Sequence, residues 1–137
     1  MRRYNCALLV DDDDTSNFIT KKALLELNMS NHIHKTNNGQ EAINFIEQRS
    51  KEESLNTSSV CPDIIFLDIN MPVMDGIEFL EKFYNHTTLG EDYLDSVNIY
   101  VLTSSNNPKD MDKISNYKIQ GCISKPLTTD KLRKLIL

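Results

Sequence analysis

Short apolar, β-branched runs alternate along this chain with segments of helical period, and several of the runs stop abruptly on a charged or hydroxyl side chain. Residues 5–10 form a buried strand ending in Asp11. Residues 15–28 follow with Ile19, Ala23, Leu24 and Leu27 near one helical face, and 32–36 make a weaker strand. Asn38 then caps a helix, with Glu41 placed for a capping box and Ala42, Ile43 and Ile46 as its buried stripe. The polar stretch 50–59 reads as a loop. Ile64, Ile65, Phe66 and Leu67 form the most hydrophobic strand, which belongs at the centre of a sheet. The second half repeats the rhythm. Asp75 and Glu78 open a helix with Ile77, Leu80 and Tyr84 on one face, and 97–102 is a strand. Pro108 suits a first helical turn, and Met111, Ile114 and Tyr117 follow at helical spacing. Cys122 and Ile123 are a short strand, and 128–137 a last helix. Five strands alternating with five helices predict an α/β fold, a doubly wound five-stranded parallel sheet covered on both faces.

Composition narrows the function classes. The 137 residues suit a single domain spanning 1–137, able to bury a core without staples. With 20 acidic against 15 basic side chains the net charge is −5, which argues against direct binding of nucleic acid. The longest apolar run, Cys6 to Val10, stops at four aspartates, far short of a membrane span or a signal peptide. Cys6, Cys61 and Cys122 are odd in number and widely spaced, so neither a zinc site nor a disulfide frame is expected, and a reducing, cytoplasmic setting fits.

In open parallel sheets ligands sit at the carboxyl ends of the strands. There this chain places Asp11 to Asp14 after the first strand, Asp68 after the third, Thr103 and Ser104 after the fourth, and Lys125-Pro126 after the fifth. Converging carboxylates repel and raise one another's pKa unless a cation neutralises them. Oxygen ligands without His or Cys favour a hard ion, and an open site that keeps waters suits Mg2+. A nucleophilic carboxylate beside a lysine, a hydroxyl and a metal is a phosphoryl-transfer constellation, with an acyl phosphate as its product.

Val10-Asp11-Asp12, the run from Asp68 through Asn70-Met71-Pro72 to Asp75-Gly76, Leu102-Thr103-Ser104 and Ser124-Lys125-Pro126 together resemble the receiver domain of two-component response regulators, in the right order from about Asn5 onward. The resemblance implies a flavodoxin-like strand order 2-1-3-4-5 and a single-domain, chemotaxis-receiver-like module. It makes Asp68 the phosphoacceptor, with Mg2+ held by Asp12 and Asp68, by Asp11 mostly through water, and by the Asn70 backbone carbonyl. Lys125 pairs with the phosphoryl group or with Asp68, Thr103 donates its hydroxyl to the phosphoryl group, and the Lys125-Pro126 bond is cis. It further implies a histidine kinase or histidine phosphotransfer protein as donor and a downstream protein partner on the face from Pro108 to Leu137. The chain is then a phosphoacceptor signalling domain rather than an enzyme, with self-catalysed phosphotransfer and dephosphorylation only. Cys122 stands where the family often has Tyr or Phe, so the signal is expected to pass through residues 103–107 and the following helix, with Tyr117.

Competing readings use the same residues. Asp13 and Asp14 suit a solvated helix start, with Asp14 or Thr15 as cap. His32 and His34 share a strand face but lack a third ligand, and read as surface histidines. Gly39, Gly76, Gly90 and Gly121 stand alone, so there is no glycine-rich phosphate loop. Asp68 and Asn70 fit the opening of a calcium loop, but Pro72 occupies the next ligand position. A haloacid-dehalogenase-type phosphatase would use Asp11 as nucleophile and Asp13 as acid/base, yet leaves Asp68 unexplained. A docking module with no phosphorylation would not need the metal ligands. Residues 50–59 and 85–96 are longer than the resemblance requires. The absence of room for an output domain favours a stand-alone receiver over an excised one.

Overall fold

The computed structural model describes residues 3–55, 60–86, 88–104 and 108–136. In chain order the elements of the first half are β1 (Ala7–Val10), α1 (Asp14–Glu26), β2 (Ile33–Thr36), α2 (Gly39–Ser54), β3 (Ile64–Asp68) and α3 (Gly76–Tyr84). The second half continues with α4 (Glu91–Ser96), β4 (Asn98–Thr103), α5 (Pro108–Ile114), β5 (Gly121–Ser124) and α6 (Thr129–Ile136). All strand pairs are parallel, in the order β2-β1-β3-β4-β5. The expected architecture is therefore present, with six described helices in place of five. The additional one, α4, lies in the segment 85–96.

Alternation along the strands divides the core. Ala7, Leu9, Ile64, Phe66, Tyr100, Leu102 and Ile123 face α1 and α6, where they meet Ala23, Leu24, Leu27 and Leu132. Leu8, Val10, Ile65, Leu67 and Ile99 face the other way, against Ala42, Ile43 and Ile46 of α2 and Phe79, Leu80 and Phe83 of α3. Val101 with Ile69 and Ile114 forms a smaller cluster under α5. β3 is buried over its whole length, as a central strand covered on both faces must be.

Several helix boundaries differ from the sequence expectation. Asp13, not Asp14 or Thr15, caps α1: its backbone is extended and its carboxylate accepts the Thr15 N–H at 3.0 Å. Helix α2 continues to Ser54, because its last turns carry exposed Lys51 and Glu53 and need no apolar stripe. In α3 the buried residues are Phe79, Leu80 and Phe83, while Ile77 and Tyr84 are half-buried. Helix α5 ends at Ile114, and Tyr117 lies beyond it, stacked on Tyr84 with ring centroids 6.5 Å apart. The Asn38 cap and the reciprocal Asp75–Glu78 capping box are both present.

Candidate functional site

The order of strands reverses between β1 and β3, and the crevice at their carboxyl ends collects the candidate residues. Asp68 is the last residue of β3 and Asp11 follows β1 directly; both are buried, whereas Asp12 is exposed. Carboxylate oxygens of Asp11, Asp12 and Asp68 all lie within 4.8 Å of one another, close enough to share one small cation. Lys125 reaches them from the end of β5. Its ammonium is 2.8 Å from Asp11 Oδ2 and 3.5 Å from Asp68 Oδ1, so it sits closer to Asp11 than to the expected partner Asp68. Its placement follows from the backbone, where the Lys125 N–H donates to the Thr103 carbonyl at 2.8 Å, and the Lys125-Pro126 bond is cis. Thr103 ends β4 with its residue buried, paired in register with Ser124. Asn70 is exposed just beyond Asp68, and its backbone N–H hydrogen-bonds the Asp68 carboxylate.

One cation does not offset this crowding. Burial, followed by the charge of Asp11, pushes the Asp68 carboxyl up to about 6 despite the opposing pull of Lys125 and the Asn70 N–H. The Lys125 ammonium is held above its ordinary range: burial opposes its charge, but the adjoining carboxylate of Asp11 and then that of Asp68 outweigh it. Asp11 Oδ1 accepts the Asp13 N–H at 2.9 Å, while Oδ2 has only the Lys125 charge contact and no aligned hydrogen bond. A buried carboxylate oxygen left in that state is the kind of donor that a hard cation satisfies.

Some positioning residues were not apparent in the sequence. Gly76 lets α3 start directly against the site: a Cβ there would lie 2.5 Å from the Asp68 carbonyl oxygen and 2.9 Å from Ile69 Cα. The Gly76 N–H also donates to the Ile69 carbonyl at 2.8 Å, and Gly39 N–H to that of Met74 at 3.0 Å, so both glycines tie down the 69–75 loop. Within that loop Val73 adopts a φ of 67°, an uncommon value for a β-branched residue. Lys131 of α6 donates to the Ser124 and Pro126 carbonyls at 2.9 and 3.0 Å, bracketing Lys125. Asn17 is buried and donates its side-chain amide to the Asp11 carbonyl at 3.0 Å.

Other candidates lie elsewhere. His32 is exposed, and half-buried His34 meets Arg49 at 3.0 Å and the Phe45 ring at 5.1 Å. The three cysteines are free thiols. Cys122 is exposed on β5; residues 105–107, through which the signal was expected to pass, lie outside the described residues, and Tyr117 stacks on Tyr84. Asp13, which a phosphatase centred on Asp11 would need as acid/base, is engaged as the α1 cap. No described helix is long and apolar enough to cross a membrane.

Residues 7–137 match the response regulator receiver domain family. The chain belongs to that family. A crystal structure of a two-component response regulator from Cytophaga hutchinsonii is similar at 30% identity and a TM-score of 0.77, covering 98% of this chain and 95% of that one. A response regulator from Legionella pneumophila is similar at 25% identity and a TM-score of 0.75, over 96% and 94% of the two chains. Among characterised sequences, the probable C4-dicarboxylate response regulator DctR of Halalkalibacterium halodurans is 26% identical over 92% of this chain. The chain spans 47% of that relative's length. Response regulator Rcp1 of Synechocystis is 27% identical over 82% of this chain and 69% of its own length. This receiver is thus a signalling domain of the two-component, phosphorylation-based kind.

Proposed function

We propose that this receiver takes a phosphoryl group from a histidine kinase or histidine phosphotransfer protein onto Asp68 and thereby switches a protein-binding surface. The observation that carries the reading is one buried carboxylate at a strand end, with two further carboxylates inside 4.8 Å and an ammonium at 3.5 Å. The Asp68 carboxylate attacks phosphorus, the P–N bond of the donor phosphohistidine breaks, its electron pair returns to the imidazole, and an acyl phosphate forms on Asp68. Lys125 is placed to meet the charge on the moving phosphoryl oxygens, with the Thr103 hydroxyl as a second donor. The donor set fits Mg2+, which when bound supplies charge neutralisation for the carboxylates and phosphoryl oxygens. Asp12, Asp68 and the Asn70 backbone carbonyl would hold it, with Asp11 acting mostly through water.

The chain's chemistry is self-catalysed phosphotransfer and dephosphorylation, with no external substrate turned over, and it acts in the cytoplasm. Phosphorylation shifts an existing equilibrium between inactive and active surfaces, and the phosphoryl contacts through Thr103 and Lys125 supply the differential free energy. The downstream partner engages the α5–β5–α6 face, from Pro108 onward. The test is phosphotransfer profiling against candidate histidine kinases in Mg2+, beside Asp68→Ala. Label is expected on the wild-type chain alone. Label that persists in Asp68→Ala, or on Asp11, overturns the assignment.

A further inference from the structure

We propose that Asn17 is a positioning residue for the cation site: its buried side-chain amide holds the turn after β1 in the shape that presents Asp11 and Asp12 to the metal. The inference rests on reading that site as one for Mg2+. Asn17 stands one turn into α1 and is only 5% exposed, although asparagine is a poor helix former; the other buried positions of the helix are Thr20, Ala23 and Leu24. Its Nδ2 donates to the Asp11 carbonyl at 3.0 Å, and its backbone N–H donates to the Asp13 carbonyl at 3.0 Å. Both ends of the acidic turn therefore hang from one residue.

The Asp11 carbonyl belongs to the peptide plane that also carries the Asp12 N–H, so its direction fixes how Asp12 leaves β1. Without Asn17 that carbonyl becomes a buried acceptor in need of a donor. Rotation of the plane toward water or another donor would swing the Asp12 side chain and loosen the Asp11 Oδ1 bond to the Asp13 N–H. Asn17 touches neither the cation nor the phosphoryl group in this scheme; it acts through Asp11 and Asp12, as outer-shell partners of metal ligands do.

Full chains of the wild type, Asn17→Ala, Asn17→Leu and Thr20→Val decide the matter. Thr20 is buried on the same helix, 2% exposed, and its replacement serves as the control for a loss confined to α1 packing. MgCl2 is titrated calorimetrically into metal-free protein, and the melting temperature is read in EDTA. Both Asn17 variants are expected to weaken Mg2+ binding about tenfold or more, with Thr20→Val within about twofold of wild type even where all three melt lower. Asn17→Leu keeps the volume filled and gives the answer should the alanine variant not fold. Wild-type affinity in the Asn17 variants overturns the role of Asn17 alone, as does an equal loss in Thr20→Val. A wild-type chain that takes up no Mg2+ overturns the Mg2+ site and this inference together.

Discussion

The two ends of the sheet treat polar groups in opposite ways. At the amino ends of the strands, the Asp63 carboxylate accepts the backbone N–H groups of Asn5 and Cys6 at 2.9 and 3.0 Å. Nearby, the Tyr93 hydroxyl donates to the Pro62 carbonyl at 2.7 Å, and the Asn98 amide donates to the Tyr4 hydroxyl at 2.9 Å. At the carboxyl ends, Asp11 keeps an oxygen without an aligned hydrogen bond and Asp68 is pushed up to about 6. One end relieves its charges and amides internally; the other gathers three carboxylates around the single ammonium of Lys125, leaving negative charge in excess. Stability and function are thus separated along the strand direction, and substitutions at the two ends should separate them too.

The largest effect belongs to the stabilising end. Phe83 is fully buried, stacked on Phe79 at 5.3 Å and met edge-on by Tyr84 and Tyr93 at 5.1 and 5.9 Å. Phe83→Ala removes the ring from this cluster and should cost about 3–5 kcal/mol in urea unfolding. Phosphorylation of the folded fraction by acetyl phosphate should stay near the wild-type rate. A comparable loss of the phosphorylation rate in fully folded protein would show that the ends are coupled.

Next in size is a gain. The folded-state pKa of Asp68, about 6, lies above its ordinary 3.8, so its contribution to stability is complete below pH 4 and falls away as pH rises through 6. Above pH 6 the ionised, crowded carboxylate is a net cost. Metal-free Asp68→Asn should therefore be more stable than wild type by about 2–3 kcal/mol at pH 7–8, with the gain shrinking between pH 6 and 4 and gone below. Urea melts in EDTA across that range check it. A gain that is independent of pH would mean that repulsion at Asp68 is not the source.

Gly76→Ala probes the support beneath Asp68. The added Cβ would meet the Asp68 carbonyl at 2.5 Å, a backbone atom that cannot simply rotate away. The expected cost is about 1–3 kcal/mol, together with slower phosphorylation, since the strain falls on the proposed phosphoacceptor. Chemical denaturation and acetyl phosphate labelling read the two effects separately. Loss of stability with an unchanged labelling rate would place the adjustment in α3 instead of β3.

The carboxyl end was the more legible in sequence, for the same physical reason that it is less relaxed. A charge closing an apolar strand, as at Asp11 and Asp68, has little to offer folding, so its presence points to chemistry. Apolar patterning could find α3 and the strands β1, β3 and β4 because these bury most of their apolar side chains. It missed α4, only six residues long with no buried side chain, and the charged last turns of α2, which lie in solvent. Spacing misled at Tyr117, which follows Ile114 at a helical interval yet leaves the helix to stack on Tyr84. Asn17 and Lys131 escaped notice, and Gly76 stood out only as part of the family motif, because their roles depend on backbone atoms brought near by the fold, and no local pattern encodes those.

The smallest effect tests whether the amino end has any part in signalling. Tyr93 is the point where α4 is joined to the start of β3: its ring meets Phe83 and its hydroxyl bonds the Pro62 carbonyl. Tyr93→Phe keeps the ring contact and removes only the hydrogen bond, so the expected cost is about 1 kcal/mol, seen as a modest shift of the urea midpoint with an unchanged slope. Because the bond is neutral and its groups lie at the end remote from Asp68, the loss should be the same at pH 5 and pH 8, and Mg2+ affinity should not move. Asp68→Asn shows the reverse pattern, a gain that depends on pH. If instead the cost of Tyr93→Phe varied with Mg2+ or with phosphorylation, α4 would be part of the switching equilibrium and the division between the two ends would have to be redrawn through α3.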